Sequence, residues 1–272
     1  MFLLALLLSI PWLQKTSVSL LDNLFIATSA VSTTGLVTIS IFDSYTGRGQ
    51  FVVMILFQLG GIGYLTFTTF MILSNTSKIT HRHQSLLKTE FTLFITIKIK
   101  DFLKSVVIFT LVMEVLGALL FFIAFNKQGM AFGEALWFSI FHSISAFCTA
   151  GYSLFNSKFT EYSDSVLVNT IISILAIAGS LCFIVVTEFV MFFRKKARKF
   201  SFTTKIVFYG FLILPLLGFV FLYAFEPEIS SLTGRERVLT AFFQSMSAIT
   251  TVGFNTVNCG AFLLPMLLVT IF

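Results

Sequence analysis

Long apolar stretches are the feature that most limits what this chain can fold into. A helix that crosses the hydrocarbon core of a bilayer needs about 20 predominantly apolar residues. Four stretches meet this length, namely residues 49–73, 102–125, 165–193 and 206–225. Only 11% of the 272 residues are charged, whereas a soluble domain carries about 25%. The sequence therefore predicts an all-α membrane protein.

Two further apolar runs lie at the ends of the sequence. Residues 1–13 are shorter than a full span, and neither a preceding basic residue nor a small-residue cleavage site marks them as a signal peptide. Residues 261–272 stop in the middle of an apolar run. We expect both runs to be parts of spanning helices, and the sequence to be a piece of a longer protein.

Basic residues predict the orientation of the chain in the membrane. Cytoplasmic loops of membrane proteins are enriched in Lys and Arg. Residues 74–104 and 194–205 contain six basic residues each, out of 18 in the whole chain. These segments should face the cytoplasm, and the connections that carry most of the acids should lie outside. The basic loops favour contact with membrane lipid or an acidic protein surface over nucleic acid.

Each outer connection contains a shorter apolar segment followed by a polar stretch with a glycine. The short segments are residues 23–32, 135–147 and 238–249, and their length is typical of re-entrant helices. Aligned on the glycine, they read FIATSAVSTTGLV (25–37), FHSISAFCTAGYS (141–153) and FQSMSAITTVGFN (243–255). A Phe, a Ser, an Ala, a Thr and the glycine are identical in all three copies.

The regular spacing of these copies predicts a repeated structural unit. Each unit consists of a spanning helix, a short helix, a polar loop and a second spanning helix. We therefore divide the chain into a first repeat at residues 1–77, a second at 102–193 and a third, truncated repeat at 206–272. Basic cytoplasmic loops occupy residues 78–101 and 194–205.

The polar loops are suited to binding a cation. A short helix that enters from outside directs the negative end of its dipole toward the membrane interior. A Thr-x-Gly stretch after that helix can replace the hydration shell of a cation with carbonyl oxygens. One such loop is equally well explained as a helix end capped by glycine. Three copies in equivalent places favour an ion selectivity filter.

The three loops resemble the filters of the Trk/Ktr superfamily of potassium transporters. Besides STTGLV, CTAGYS and TTVGFNT, the stretches QLGGIGYLTFTTF (58–70) and FTTKIVF (202–208) resemble helices of that family. The resemblance covers nearly the whole chain. It implies repeated helix–pore-loop–helix units around a pseudo-fourfold ion pore in the bacterial inner membrane, with the pore loops outside. The family fold has four repeats, so we expect the longer protein to supply a fourth.

By this resemblance, the protein would be the pore-forming subunit for potassium uptake through a filter of backbone carbonyls. The residues implied are Ser32, Thr33, Thr34 and Gly35, then Cys148, Thr149, Ala150 and Gly151, then Thr250, Thr251, Val252 and Gly253. Relatives with serine at the first filter glycine tend to admit sodium, so Gly35 implies a preference for potassium. Cys148 is expected to contribute its carbonyl rather than its thiol, and the residues after the glycines are expected to pack.

The resemblance also implies partners. Family members are homodimers on a cytoplasmic nucleotide-binding regulatory ring of the TrkA/KtrA type, and we expect the same here. The chain is expected to hold no cofactor, with the potassium ion as substrate. Coupling to sodium or protons, the regulatory nucleotide and the choice between the TrkH and KtrB subfamilies stay open.

Two other classes of function are weaker explanations of the sequence. Another polytopic, sodium-permeable cation carrier with discontinuous helices would predict inverted repeats, whereas these three units run in the same sense. An enzyme is disfavoured because the chain has no nucleophile–base pattern and no catalytic candidate. Glu114, near the middle of a spanning stretch, is either a functional group or a hydrogen-bonded helix contact. His142 is expected to be a packing residue.

Overall fold

The structure, a computed structural model, describes residues 1–63, 99–156, 159–181, 183–193, 200–257 and 262. Within these ranges the fold is helical and contains no β-strand, apart from one isolated bridge between Gln14 and Tyr45. In chain order the α-helices are α1 (Phe2–Leu8), α2 (Leu20–Val31), α3 (Ile41–Ser44), α4 (Gly47–Ile62), α5 (Ile99–Lys127), α6 (Phe132–Phe147), α7 (Val166–Ser180), α8 (Phe183–Phe193), α9 (Phe202–Phe225), α10 (Pro227–Ser230) and α11 (Gly234–Ile249).

Two of the described helices are long and apolar enough to cross a membrane. They are Lys104–Lys127 within α5 and the whole of α9. Helices α2, α4 and α7 are apolar but shorter. Only 11% of the apolar window of α9 is buried inside the protein, so this helix presents most of its surface outward.

The predicted span at residues 165–193 is divided into two helices. Helix α7 ends at Ser180, and Leu181 has an extended backbone with φ −62° and ψ 124° before α8 begins at Phe183. The prediction of one continuous helix is therefore wrong. The physical reason is the Gly179–Ser180 pair, because Gly/Ser pairs are common sites of helix breaks and hydropathy does not register them.

The first apolar run also forms less helix than its hydropathy indicates. Helix α1 ends at Leu8, and Pro11 begins a 3-10 turn that extends to Leu13. Proline fixes its own φ and removes an N–H donor, so the helix stops before it. Residues 64–98, with most of the first basic loop, and residues 194–199, with most of the second, lie outside the described residues.

The three short helices predicted before the loops are present as α2, α6 and α11. They contain 12, 16 and 16 residues and begin three or four residues before the apolar segments that predicted them. Each carries an acid in its first turn, namely Asp22, Glu134 and Glu236. Acids are favourable at a helix N-terminus because of the positive end of the dipole. We call α2, α6 and α11 the pore helices.

Each pore helix packs against the first helix of its own repeat. The pairs are α1 with α2, α5 with α6, and α9 with α11. In the second and third repeats a pore-helix serine donates a hydrogen bond to this helix: Ser143 Oγ to the Glu114 carbonyl at 2.7 Å, and Ser245 Oγ to the Pro215 carbonyl at 2.8 Å. A glycine one turn further along gives each serine the necessary room. The two repeats thus share contacts as well as sequence.

The helix after the first loop and the helix after the second loop each approach the end of the pore helix of the same repeat. A Cβ atom added to Gly60 in α4 would collide with the carbonyl oxygen of Val31, the last residue of α2. A Cβ atom added to Gly179 in α7 would collide with the carbonyl oxygen of Phe147, the last residue of α6. Small residues allow helix backbones to approach this closely in membrane proteins.

We predict that Gly179→Ala destabilises the protein by about 1–3 kcal/mol, the usual range for overpacking. The measurement is the thermal unfolding midpoint of the full-length protein in detergent. Gly210→Ala in α9 is the matched control, because a Cβ atom there meets nothing within 4 Å and replacing a helical glycine should stabilise by about 0.5–1 kcal/mol. Equal midpoints for the two variants would contradict the close approach at Gly179.

Candidate ion filter

The three glycine loops adopt the same backbone conformation. The first residue after each pore helix, Ser32, Cys148 or Thr250, keeps a near-helical φ of −83°, −72° or −81°. The next residue is left-handed in every loop, with φ of 51° at Thr33, 50° at Thr149 and 56° at Thr251. The glycines are left-handed as well, with φ of 73° at Gly35, 67° at Gly151 and 75° at Gly253. The repeat predicted from sequence therefore extends to the backbone angles.

Each pore helix ends in a Schellman motif. In the first repeat the Thr33 N–H donates to the Ala30 carbonyl at 3.1 Å, and the Thr34 N–H donates to the Ser29 carbonyl at 3.0 Å. The equivalent bonds measure 3.2 and 2.9 Å in the second repeat and 3.1 and 3.2 Å in the third. The left-handed position of such a motif is usually glycine, but here it is threonine. The shared glycine lies two residues further along, so it is not the helix cap.

Threonine in this conformation is strained. A β-branched residue with positive φ is a genuine outlier, and residues in such regions cost of order 1–3 kcal/mol each. They persist where the surroundings enforce them, and they cluster at functional sites. Three equivalent copies exclude accident. The sequence shows that all three loops share this threonine. It does not predict the left-handed backbone, because the conformational preference of threonine is against it.

The structure brings the three loops together at their glycines. A Cβ atom on Gly35 would collide with the carbonyl oxygen of Ala150, and one on Gly151 would lie 2.5 Å from the carbonyl oxygen of Val252. In each contact the carbonyl belongs to the residue before the glycine of the next loop. A Cβ atom added to Gly253 would have one described atom within 4 Å, namely the Cα of Gly151 at 3.9 Å.

The residues after the glycines pack differently in the three loops. Tyr152 and Phe254 are completely buried, as expected, whereas Leu36 is 59% exposed. The Tyr152 hydroxyl donates to the Ile26 carbonyl in the pore helix of the preceding repeat at 3.1 Å. Phe254 likewise lies next to His142 of α6, with ring centroids 6.4 Å apart. Among the described residues, no pore helix lies in the equivalent place beside Leu36.

In the second and third loops, a serine of the pore helix donates a hydrogen bond to the residue after the glycine. Ser145 Oγ donates to the Tyr152 carbonyl at 2.8 Å, and Ser247 Oγ donates to the Phe254 carbonyl at 2.6 Å. The equivalent Ser29 hydroxyl is buried without a hydrogen bond. Two of the three loops are therefore connected to their pore helix on both sides of the glycine.

His142 holds the chain that leaves the second loop. Its Nδ1 lies 2.8 Å from the Phe138 carbonyl, which can only accept, so Nδ1 carries the proton. Its Nε2 then accepts from the Leu154 N–H at 3.2 Å. The ring is fully buried and stacks on Phe155 with centroids 4.9 Å apart. These contacts fit the packing interpretation of His142.

A cleft of about 250 Å³ lies beside Gly35 and Gly151. Two hydrogen bonds connect the segments that follow the first and second loops at this cleft: Ser40 Oγ to Asn156 Oδ1 at 2.7 Å, and Asn156 Nδ2 to Asp43 Oδ2 at 2.9 Å. The exposed Asp43 adds negative charge beside the cleft. Within the described ranges, no three His, Cys, Asp or Glu side chains are grouped to hold a metal ion.

Comparison with known proteins identifies a family of transport proteins. The family model described as a cation transport protein, TrkH, matches residues 3–271. The Ktr system potassium uptake protein B of Vibrio alginolyticus is 32% identical over 98% of this chain and 59% of its own length. The potassium/sodium uptake protein NtpJ of Enterococcus hirae is 29% identical over 93% of this chain and 56% of its own length. The chain thus spans somewhat more than half the length of these relatives.

A solved structure shows a related fold. The potassium transporter TrkH from Vibrio parahaemolyticus matches with a TM-score of 0.63 and 22% identity, over 89% of this chain and 46% of that chain. The family description names transport rather than catalysis, as the sequence predicted. The chain belongs to the TrkH family of membrane cation transport proteins.

Proposed function

We propose that the protein containing this chain takes up potassium ions across the plasma membrane through a filter of backbone carbonyls. The observation that carries the proposal is the meeting of three loops with one shared, strained backbone at their glycines. The filter residues are the twelve predicted from sequence, Ser32–Gly35, Cys148–Gly151 and Thr250–Gly253. Such strain at equivalent positions is expected where a backbone must hold a fixed shape around a ligand.

The hydrogen bonds of the loops favour a cation over an anion. In every loop the N–H groups of the first three residues donate to carbonyls of the pore helix. These three residues of each loop therefore have their carbonyl oxygens left to face an ion, and carbonyl oxygens replace the hydration shell of a cation. The negative ends of the three pore-helix dipoles add to this preference, since their acids lie at the opposite ends.

The names of these relatives support potassium as the substrate and leave one alternative. Two of the three proteins compared above are named for potassium alone, and one is named for potassium and sodium. A sodium-permeable cation carrier is therefore the second candidate. Gly35, Gly151 and Gly253 favour potassium, because a side chain at any of them would disturb the ring of carbonyls.

We further propose that a fourth unit completes the ring. Gly253 and Leu36 lie at the two outer edges of the three-loop arrangement, and each lacks the neighbour that its counterparts have among the described residues. A fourth loop and pore helix placed between them would supply both contacts. The homodimer, the nucleotide-binding ring, and the placement of the pore loops outside and the basic loops in the cytoplasm belong to the same proposal.

We predict that Gly151→Ser lowers the ratio of potassium to sodium uptake by the full-length protein. The added side chain is directed at the Val252 carbonyl from a backbone with φ of 67°, so it displaces one segment of the ring. Gly253→Ser should act in the same direction. The measurement is tracer uptake of the two ions in cells that lack their own potassium uptake systems.

Gly129→Ser is the matched control for this prediction. Gly129 also has a positive φ, 84°, but a Cβ atom there meets nothing within 4 Å. Its replacement should leave the uptake ratio unchanged. An unchanged ratio in both Gly151→Ser and Gly253→Ser would rule out these loops as the filter.

We also predict that Ser145→Ala and Ser247→Ala reduce the stabilisation of the protein by potassium. Each change leaves a buried carbonyl without its donor, which costs about 1–3 kcal/mol and loosens the loop. A ligand that binds the folded state raises its stability, so a loosened filter should show a smaller rise in unfolding midpoint when potassium replaces sodium. Ser29→Ala is the control, because Ser29 Oγ makes no such bond. Equal rises in all three variants would contradict the prediction.

A further inference from the structure

Consecutive loops are in contact at two places: the first seam lies between the first and second loops, and the second seam lies between the second and third loops. Helix α4, which follows the first loop, lies at the first seam, and helix α7, which follows the second loop, lies at the second. One residue beyond the close-packed Gly60, Gly61 of α4 contacts Cys148, the first residue of the second loop; a Cβ atom there would lie 2.6 Å from Cys148 Sγ. One residue beyond the equivalent Gly179, Ser180 of α7 donates to the carbonyl of Thr250, the first residue of the third loop, at 3.0 Å. The same part of the fold supports both loops.

The first seam contains a chain of polar side chains behind the filter. The Cys148 thiol donates to Gln58 Oε1 at 3.2 Å, and Gln58 Nε2 donates to Glu114 Oε1 at 2.6 Å. Cys148 and Glu114 are buried, with 4% and 6% of their surface exposed. These two hydrogen bonds therefore connect three elements, namely the second loop, α4 and α5.

Glu114 is connected to the second repeat by a further bond. Its backbone carbonyl accepts the hydrogen bond from Ser143 Oγ of α6 at 2.7 Å. The backbone of Glu114 is thus fixed to the pore helix, while its carboxylate reaches the first residue of the loop through Gln58. The carboxylate acts on the filter through these partners and is not itself among the filter residues.

The repeated architecture can be built without polar side chains at the positions of Gln58 and Glu114. At the second seam, the positions equivalent to Gln58 and Glu114 are Ile177 and Pro215, judged from the matching glycines and serines. The same architecture is therefore built there without a carboxylate. Burying a charged or polar group in a membrane is costly, and such groups usually have a function.

We propose that Gln58 and Glu114 are positioning residues that fix Cys148 and, through it, the first carbonyl of the second filter segment. This inference rests on the proposed potassium filter. It makes ion discrimination depend on hydrogen bonds at the first seam, whereas the second seam relies on the single serine contact to Thr250.

The first test is Gln58→Leu in the full-length protein. It removes both hydrogen bonds of Gln58 and should lower the ratio of potassium to sodium uptake about 3- to 10-fold, which corresponds to about 0.6–1.4 kcal/mol. The matched control is Gln50→Leu in the same helix. Gln50 is buried and also makes two bonds, with Trp137 Nε1 and the Tyr45 carbonyl, but it does not contact the filter loops. Gln50→Leu should lower the stability of the protein and keep the wild-type ratio of potassium to sodium uptake.

A pair of variants at Glu114 gives an independent test. Glu114→Gln keeps an oxygen that accepts from Gln58 and should retain the ratio, whereas Glu114→Leu should lose it to the same extent as Gln58→Leu. Cys148→Ala, which removes the thiol that donates to Gln58, should lose it as well. Because these residues act in one chain, combining Gln58→Leu with Cys148→Ala should add little to either single change.

The outcomes separate this inference from the proposed function. A wild-type protein that does not discriminate potassium from sodium would overturn the proposed potassium filter and, with it, this inference. If the wild-type protein is selective but Gln58→Leu has the same ratio of potassium to sodium uptake as Gln50→Leu, the inference alone is overturned. Loss of the ratio in Glu114→Gln would also overturn it, since the acceptor oxygen is retained. If Gln58→Leu fails to reach the membrane, the Glu114 pair decides the question.

Discussion

The ends of the pore helices determine the rest of the site. A helix end leaves carbonyl groups without partners, and in a membrane these groups must be satisfied inside the protein. Here the N–H groups of each loop satisfy them, through the same pair of bonds in three repeats. These bonds engage the N–H groups of the first three residues of each loop and force a threonine into a left-handed conformation. In the proposed filter, the carbonyl oxygens of the same residues are left to face an ion, so the proposed preference for a cation follows from how a helix ends.

Small residues then decide how closely the parts can approach. Gly60 and Gly179 admit the ends of two pore helices, and Gly35 and Gly151 admit the carbonyls of the next loops. Aromatic side chains fill the space behind: Phe57 packs on Phe141 with centroids 5.4 Å apart and on Tyr152 at 5.7 Å. Aromatic residues therefore lie behind the loops, whereas glycines lie where backbones approach each other, between the loops and at the ends of the pore helices.

Sequence reasoning was most successful where the repeat was visible. Three aligned loops predicted three short helices and their common fold, because a pattern within one chain needs no knowledge of packing. The break after Ser180 was missed, since hydropathy averages over it. The left-handed threonines were missed because local preference argues against them. The bond between Gln58 and Glu114 joins residues 56 positions apart in different repeats, and no periodicity relates them.

The contact between the glycine of one loop and the carbonyl of the next has a consequence for folding. No loop contains all the atoms that define its own shape, because its glycine is confined by the following repeat. A repeat newly inserted into the membrane has its helices but not the neighbour that completes its loop. We therefore expect the proposed filter to take its final shape only when successive repeats dock, so that its geometry depends on neighbouring repeats rather than on any single one.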